Sequence, residues 1–194
     1  MSSIEQAPPE TGLCEEEHIL LRQIALEAIK YGVEHGSHLP VATSRYPALL
    51  QKPGASFVTL KKHGELRGCI GTLEPYQPLV NDVAHNAHAA AFSDPRFFPL
   101  AADELDSLEI HISILTPAVP MNFTSETDLL SQIRPGIDGL ILEEGHLRGT
   151  FLPSVWESLP DAKSFLQHLK QKAGLPAHYW SSRIKVSRYT TESF

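Results

Sequence analysis

The five-residue pattern Gly-x-Leu-Arg-Gly occurs twice in this chain, at residues 64–68 and again at residues 145–149. In both places a short apolar run precedes the pattern and another follows it, which is typical of a β-hairpin whose glycine supplies the left-handed turn residue. Five shared positions are too few to prove an internal duplication. They do predict two antiparallel hairpins, so the fold must contain sheet.

The first hairpin carries the sequence Leu-Arg-Gly-Cys-Ile-Gly at residues 66–71. Because side chains alternate along a strand, a three-residue turn at residues 62–64 predicts one polar face and one apolar face. The polar face would comprise Thr59, Lys61, Arg67 and Cys69, and the apolar, core-facing side Val58, Leu60, Leu66 and Ile70.

Arg67 and Cys69 are therefore predicted to be neighbours. A guanidinium within reach of a thiol favours the thiolate, which is the nucleophilic form of cysteine. We predict Cys69 and Arg67 as catalytic residues, with His111 or His63 as the nearest candidate for a partner base and His111 also as a substrate contact. The alternatives are a metal-binding thiolate and a small apolar residue that is simply packed.

Gly68 and Gly71 have the Gly-x-x-Gly spacing that one class of RNA-binding module uses to clamp a nucleic-acid backbone. That module needs the loop between two helices in a basic groove, whereas this segment continues a strand. The chain also has a formal net charge of −7, which argues against nucleic acid as a partner. We interpret both glycines as places of close backbone approach and as candidate contacts to a small-molecule ligand.

The composition predicts a folded domain, since hydrophobic residues make up 42% of the 194 residues and charged residues 20%. No apolar stretch approaches the roughly 20 residues that cross a bilayer, so no membrane partner is expected. The two cysteines, Cys14 and Cys69, follow no charged-then-apolar leader. This predicts a reducing, cytoplasmic location.

Hydrophobic periodicity predicts most of the remaining elements. Residues 1–13 lack apolar periodicity and are predicted to form a disordered leader, followed by one domain with two subdomains over residues 14–194. Helical spacing predicts helices at residues 15–34, 78–92, 125–133 and 161–173, and alternation predicts strands at residues 108–115 and 183–189.

Other polar residues are candidate substrate contacts. Asp94 and Arg96 flank a proline, so a carboxylate and a guanidinium are held at a rigid corner. They would either pair with each other or bind an anionic substrate, for which arginine offers a two-pronged hydrogen-bond donor. In the second hairpin Arg148 repeats the position of Arg67, and with Thr150 it would face the same ligand.

Asp82, His85 and His88 recur at three-residue steps on a predicted helix. They lie opposite Val83 and Ala87, and no second element supplies further ligands for a metal ion. We interpret them as a solvated face and predict no metal site. The sequence identifies no cofactor.

Six segments together resemble the AMMECR domain family, whose bacterial and archaeal members include AmmeMemoRadiSam system protein A. They are residues 66–71, 94–97, 114–117, 139–142, 151–156 and 172–175, and the resemblance spans residues 15–189. Two departures are peripheral: Phe98 stands where a proline is common, and His111 lies within its strand.

The resemblance implies an α+β fold with a larger and a smaller lobe of mixed sheet and helices, and an interlobe cleft lined by residues 66–71. It also implies a Memo-like protein and a radical S-adenosylmethionine protein as partners, but no established chemistry. Two functions therefore stay open. One is a cytoplasmic enzyme that acts on a small polar or anionic substrate, and the other is a non-catalytic partner or regulatory module.

Overall fold

A computed structural model describes residues 11–194. The chain folds into two compact units. Of the described residues, the larger unit comprises 11–115 together with Glu192–Phe194, and the smaller unit comprises Thr116–Thr191. Each unit combines helices with a sheet, which confirms the predicted α+β class. The strand pairs within both sheets are antiparallel, where a mixed sheet was expected.

The predicted helices and strands are confirmed with small shifts at their ends. In chain order the elements are α1 (Glu15–His35), β1 (Pro53–Lys62), β2 (Glu65–Gly71), β3 (Gln77–Pro78), α2 (Leu79–Phe92), β4 (Leu108–Leu115), β5 (Val119–Pro120), α3 (Glu126–Gln132), β6 (Gly139–Glu144), β7 (Leu147–Phe151), α4 (Ala162–Lys172), β8 (Lys185–Tyr189) and β9 (Thr191–Ser193), with short 3-10 helices at Thr43–Arg45, Ala102–Ser107 and Pro153–Glu157.

The predicted leader falls mainly on residues 1–10, which lie outside the described residues. Thr11 donates its backbone N–H to Oε2 of Glu192 over 3.0 Å. Leu13 packs against the hydrophobic core of the larger unit. Contacts of the larger unit therefore begin before residue 14, the predicted start of the domain.

The sheet of the larger unit has the strand order β2-β1-β4-β9, and β3 pairs with the start of β1. Helices α1 and α2 share one hydrophobic core with this sheet. Alternate residues of β1 and β4, including Val58, Leu60, Ile112 and Ile114, are buried in that core. The intervening side chains are directed to the opposite face of the sheet, because strand side chains alternate.

Helix α1 has the end signals that its sequence predicts. Acidic residues fill its first turn, where they favour the positive end of the helix dipole. Gly36 ends the helix in the left-handed conformation at φ 64°, which glycine adopts without a steric penalty. Among residues 11–194, no helix is both long and apolar enough to cross a membrane.

The hairpin of β1 and β2 differs from its prediction in one respect. The turn has two residues, His63 and Gly64, both with positive φ, and Lys62 pairs with Glu65. The register then shifts, so that Arg67 has no partner residue across the pair and forms a β-bulge.

This bulge changes which residues share a face. Val58 opposes Ile70 and Thr59 opposes Cys69, so the members of each of these pairs share a face, as predicted. Leu66 opposes Lys61 and is exposed, so the prediction that Leu66 faces the core is wrong. The extra residue in β2 is the physical reason, since one inserted position reverses the alternation on either side of it.

The smaller unit has the strand order β5-β8-β6-β7. Its core contains fully buried side chains of α4, namely Phe165, Leu166 and Leu169. Helix α3 begins after Ser125, whose hydroxyl accepts the backbone N–H of Asp128 over 3.1 Å, as the capping pattern predicts.

The repeated sequence pattern has a structural counterpart. In the larger unit a Cβ on Gly68 would lie 2.1 Å from the carbonyl oxygen of Ala90 in α2. In the smaller unit a Cβ on Gly149 would lie 2.9 Å from the backbone nitrogen of Ala173, at the end of α4. Each glycine therefore allows the backbone of a helix to approach the hairpin strand.

Candidate functional site

Cys69 lies in the middle of β2, in a polar row that crosses three strands of the larger unit. Its Sγ atom is 3.1 Å from Oγ1 of Thr59, the residue opposite it on β1. On the other side of β1, Thr59 opposes His111 of β4. The Cys69 and Thr59 side chains are half-buried and His111 is exposed. Because side chains alternate along each strand, this row lies on the face of the sheet opposite the hydrophobic core.

Asp94, just after α2, is the buried anchor beside Cys69. Its side chain is 2% exposed, and Oδ2 accepts the backbone N–H of Cys69 over 2.9 Å. Oδ1 accepts the backbone N–H of Arg96 over 3.1 Å and its Nε over 3.0 Å, and Nη2 of Arg96 lies 2.7 Å from Oδ2. These hydrogen bonds, that from the Arg96 side chain above all, hold the pKa of Asp94 well below its usual value despite burial.

Arg96 is the cation whose contacts reach the main chain of Cys69. Its Nη2 lies 3.5 Å from the Cys69 carbonyl oxygen, and its side chain is 54% exposed. The hydrogen bond to Asp94 raises the pKa of Arg96. Asp94 therefore holds a permanently charged, accessible guanidinium next to the thiol-bearing residue.

Arg67 binds a carboxylate elsewhere, so the predicted pairing of Arg67 with the Cys69 thiol is wrong. Its Nε and Nη2 donate to the two oxygens of Glu104 over 3.0 and 2.9 Å, and Nη2 also donates to the carbonyl of Phe98. Lys62 donates to the same carboxylate over 3.0 Å. The bulge at Arg67 breaks the alternation on which the pairing depended.

The two arginines approach the same aromatic ring. The guanidinium carbons of Arg67 and Arg96 lie 5.9 and 5.5 Å from the centre of the Phe97 ring, within the range of cation–π attraction. The Arg67 side chain lowers the pKa of Glu104 well below its usual value, so Glu104 is ionised.

The charges of this group leave it with a positive excess. Three cations, Lys62, Arg67 and Arg96, face two carboxylates, Asp94 and Glu104. Their sum is +1, in a chain whose formal net charge is −7. In addition, Nη1 of Arg67 is buried and has no hydrogen-bond acceptor among the described residues. The group can therefore donate a hydrogen bond to a further anionic or carbonyl oxygen.

The other predicted site residues have different positions. Gly68 packs under α2, and a Cβ on Gly71 would meet the Phe57 ring at 2.2 Å, so close approach explains both glycines. His63 is in the turn of the first hairpin. Arg148 belongs to the smaller unit, where its Nε lies 3.3 Å from Oε1 of Glu143.

The prediction of a solvated face at Asp82, His85 and His88 is wrong for two of its three residues. Asp82 is completely buried and His88 is 8% exposed, whereas His85 is exposed. The Asp82 carboxylate accepts hydrogen bonds from Ser56, Thr72, Gln77 and Asn86. Helix α2 therefore buries this side because polar partners on β1 and after β2 satisfy the carboxylate.

His38 joins the helix histidines in a cluster. Its ring centre lies 4.8 Å from that of His85, with parallel planes, and 3.9 Å from that of His88. Within residues 11–194, no group of three histidine, cysteine, aspartate or glutamate side chains is arranged to hold a metal ion.

Sequence reasoning did not identify Glu104 or Lys62 as members of the site. Glu104 lies in the 3-10 helix Ala102–Ser107 and is 37 positions from Arg67. No local pattern marks it, because its role depends on how that short helix folds back beside the hairpin.

Comparison with known proteins gives consistent matches. A family model described as AMMECR1 matches residues 22–194. A protein of Methanothermobacter thermautotrophicus is 38% identical over 188 residues, which cover 94% of this chain and 95% of that protein. A protein of Thermotoga maritima is 37% identical over 172 residues, which cover 88% and 94% of the two chains.

A solved structure is also similar. The crystal structure of the uncharacterized protein PH0010 from Pyrococcus horikoshii has a TM-score of 0.85 and 34% sequence identity. The similarity covers 93% of this chain and 92% of that one.

Proposed function

The chain belongs to the AMMECR1 family, and we propose that it is an enzyme that binds a small polar or anionic substrate beside Cys69, with the Cys69 thiol as nucleophile. The observation that carries this proposal is the positive excess around Phe97, where the accessible guanidinium of Arg96 contacts the Cys69 main chain. An oxyanion or carboxylate bound by Arg96 would be held next to the sulfur atom.

Each residue has a role that follows from its contacts. Arg96 binds the anionic group of the substrate, and Asp94 positions both Arg96 and the Cys69 backbone. The hydroxyl of Thr59 lies at hydrogen-bond distance from the sulfur and stabilises a thiolate there. His111, one strand further along the polar row, contacts the substrate at the outer edge.

Arg67 has a supporting role in this proposal. Its bonds to Glu104 and to the Phe98 carbonyl fix the segment after α2 against β2. The unpartnered Nη1 would donate to an oxygen of a substrate that reaches it. The cleft implied by the family resemblance, with Arg148 on its other side, stays a prediction. A reducing, cytoplasmic location suits an enzyme that keeps Cys69 as a free thiol.

Alkylation of Cys69 tests the nucleophile directly. In a Cys14→Ser background Cys69 is the sole thiol of the chain, so its reaction with iodoacetamide at pH 7 can be followed without interference. We expect Cys69 to react faster than the thiol of N-acetylcysteine amide. A rate equal to or below that reference would remove the support for a reactive thiol.

Capture of metabolites tests the substrate class. The intact protein is incubated with a small-molecule extract, and the retained compounds are identified by mass spectrometry. We expect anionic compounds to be retained by the wild type and by an Arg45→Gln control at an exposed arginine, and lost from Arg96→Gln. Equal retention by all three proteins would contradict the role of Arg96.

A second candidate function is a non-catalytic partner module that binds a Memo-like or a radical S-adenosylmethionine protein. The observation that favours it is the exposed apolar surface at Phe98, which is 90% exposed, and at Leu66, which is 41% exposed. Binding of a purified Memo-like protein should then weaken in Phe98→Ser, but not in Tyr76→Ser, an exposed aromatic elsewhere. It should also survive Cys69→Ser, which would abolish the activity of an enzyme.

A further inference from the structure

On the basis of the proposed function, we propose that the substrate bound by Arg96 also carries an aromatic group, and that the ring of Phe57 binds this group. Phe57 lies in β1, on the face of the sheet that carries the Cys69 sulfur. The substrate class is then an aromatic compound with one anionic group, and its reacting atom lies between the two groups.

The strand register places Phe57 beside the thiol. Phe57 opposes Gly71, and Thr59 opposes Cys69, in successive pairs of β1 and β2 on one face of the sheet. Phe57 and Cys69 are therefore diagonal neighbours. Such neighbours are about 7–8 Å apart in an antiparallel pair, which is within the reach of an aromatic side chain. An apolar group that packs on Phe57 is thus held next to the sulfur atom.

Small residues on both neighbouring strands make room for the Phe57 ring. A Cβ on Gly71 would lie 2.2 Å from Cγ of Phe57 and 2.5 Å from Cδ1 and Cδ2. The ring therefore lies over the backbone of β2, the strand that carries Cys69. On the other side Phe57 opposes Ser113 of β4, whose hydroxyl lies 2.9 Å from that of Ser193. Phe57 is only half-buried in this position, so part of it is free to contact a ligand.

Phe57 is one of a small group of phenylalanines outside the hydrophobic cores. The chain has eight phenylalanines, and five of them pack in the core of one unit or the other, namely Phe92, Phe123, Phe151, Phe165 and Phe194. Within residues 11–194, Phe57, Phe97 and Phe98 pack in neither core. The Phe97 ring lies near the guanidinium groups of Arg67 and Arg96, and the Phe98 carbonyl accepts Nη2 of Arg67. All three therefore adjoin the site, as expected of a ligand site that combines aromatic side chains with a few polar groups.

The cation and the ring approach Cys69 from different directions. Strand β2 is at the edge of the sheet, and Arg96 lies beyond that edge, with Nη2 3.5 Å from the Cys69 carbonyl oxygen. Phe57 lies on the inner side, in the neighbouring strand β1. A substrate whose anionic group binds Arg96 and whose aromatic group packs on Phe57 must therefore pass over the sulfur atom.

Alkylation with two reagents tests the aromatic contact apart from the reactivity of the thiol. The Cys14→Ser protein is treated with iodoacetamide and with N-benzyliodoacetamide, and the ratio of the two rate constants is divided by the same ratio for N-acetylcysteine amide. In both reactions the sulfur displaces iodide, so that the benzyl group is the only difference. We expect a normalised ratio of about five in favour of the benzyl reagent, the gain typical of one aromatic contact.

Variants at the contact should lower this ratio. Phe57→Ala removes the ring and should bring the ratio close to one, whereas Phe57→Leu, which keeps an apolar side chain, should give an intermediate value. Gly71→Ala keeps Phe57 but displaces its ring, so it should lower the ratio as well. Ile19→Ala, at an exposed apolar residue of α1, is the matched control and should keep the wild-type ratio. Thermal unfolding of each variant shows whether it is folded.

A normalised ratio of one or less in the wild type, or a wild-type ratio in Phe57→Ala, would overturn the role of Phe57. If Phe57→Ala does not fold, Phe57→Leu and Gly71→Ala decide in its place. A thiol that reacts slowly but still prefers the benzyl reagent would contradict the proposed nucleophile and leave the aromatic contact intact. A fast thiol without this preference would contradict the aromatic contact alone.

Discussion

The backbone N–H of Cys69 donates to Oδ2 of Asp94 over 2.9 Å, and that oxygen also lies 2.7 Å from Nη2 of Arg96. One buried carboxylate therefore fixes both the main chain at the thiol and the cation beside it. Burial of an ionised aspartate is tolerated here because every contact that it makes in the site is a hydrogen bond or an ion pair.

Asp94→Asn should destabilise the protein. The amide keeps the size of the side chain but loses the charge that three Arg96 nitrogens and the Cys69 N–H bind. We expect the free energy of unfolding to fall by about 1–3 kcal/mol, measured by urea denaturation. Asp103→Asn, at an exposed carboxylate, should change it by less than about 0.5 kcal/mol. Equal midpoints for Asp94→Asn and wild type would contradict this role.

Acid should remove the same stabilisation. Hydrogen bonds from Arg96 and Arg67 lower the pKa of Asp94 and of Glu104. A carboxyl whose pKa is lower in the folded state stabilises fully above its unfolded pKa, about 4, and loses this effect as the pH falls. We expect the wild type to lose stability steeply below about pH 4. An Asp94→Asn/Glu104→Gln double variant should show a shallower slope in urea denaturation, and parallel slopes would disprove the argument.

The histidine cluster should make the protein less stable in mild acid. Burial, and then the charges of His38 and His85, lower the pKa of His88, and burial followed by His85 lowers the pKa of His38. A histidine whose pKa is lower in the folded state contributes its full stabilisation above its unfolded pKa of about 6.5. As the pH falls below that value, its protonation lowers the free energy of unfolding.

Thermal unfolding between pH 7 and about pH 5 measures this effect. We expect His38→Asn to reduce the pH dependence of the melting temperature, because His38 is exposed and can be replaced without opening the core. His146→Asn, in the exposed turn of the second hairpin, is the matched control. If both variants retain the wild-type dependence, the cluster does not govern it.

Gly68→Ala should destabilise the larger unit. The new Cβ would lie 2.1 Å from a backbone oxygen of α2, so the helix or the strand must move. Overpacking of this kind lowers the free energy of unfolding by about 1–3 kcal/mol. Each kcal/mol lowers the melting temperature of a small domain by roughly 4–8 °C. Gly149→Ala, whose Cβ would have a 2.9 Å contact, should cost less. The reverse order would show that the helix of the larger unit is the more adaptable one.

Local patterns predicted the elements well because those elements depend on local physics. Helix α1 has an apolar stripe at helical spacing, an acidic first turn and a terminal glycine. Strand β4 alternates apolar and polar residues over Leu108–Leu115. Such signals are complete within one segment of sequence.

The site was only partly predictable because its decisive contacts are not local. The sequence singled out Cys69 in the signature and, separately, Asp94 and Arg96 at a rigid corner, and the structure places these two beside the Cys69 main chain. It could not show that a bulge at Arg67 turns this residue toward Glu104, since a bulge is a property of the strand pair. Likewise, hydrogen-bond donors that stabilise the buried Asp82 carboxylate come from other segments.

The most direct test of the account is the rate of Cys69 alkylation at pH 7 in two arginine variants, both in the Cys14→Ser background. Because Arg96 contacts the Cys69 main chain and Arg67 binds Glu104, Arg96→Gln should slow the reaction by about fivefold or more, whereas Arg67→Gln should leave it within about twofold. An unchanged rate in Arg96→Gln, or an equal loss in Arg67→Gln, would contradict the assignment of Arg96 as the cation that serves the thiol.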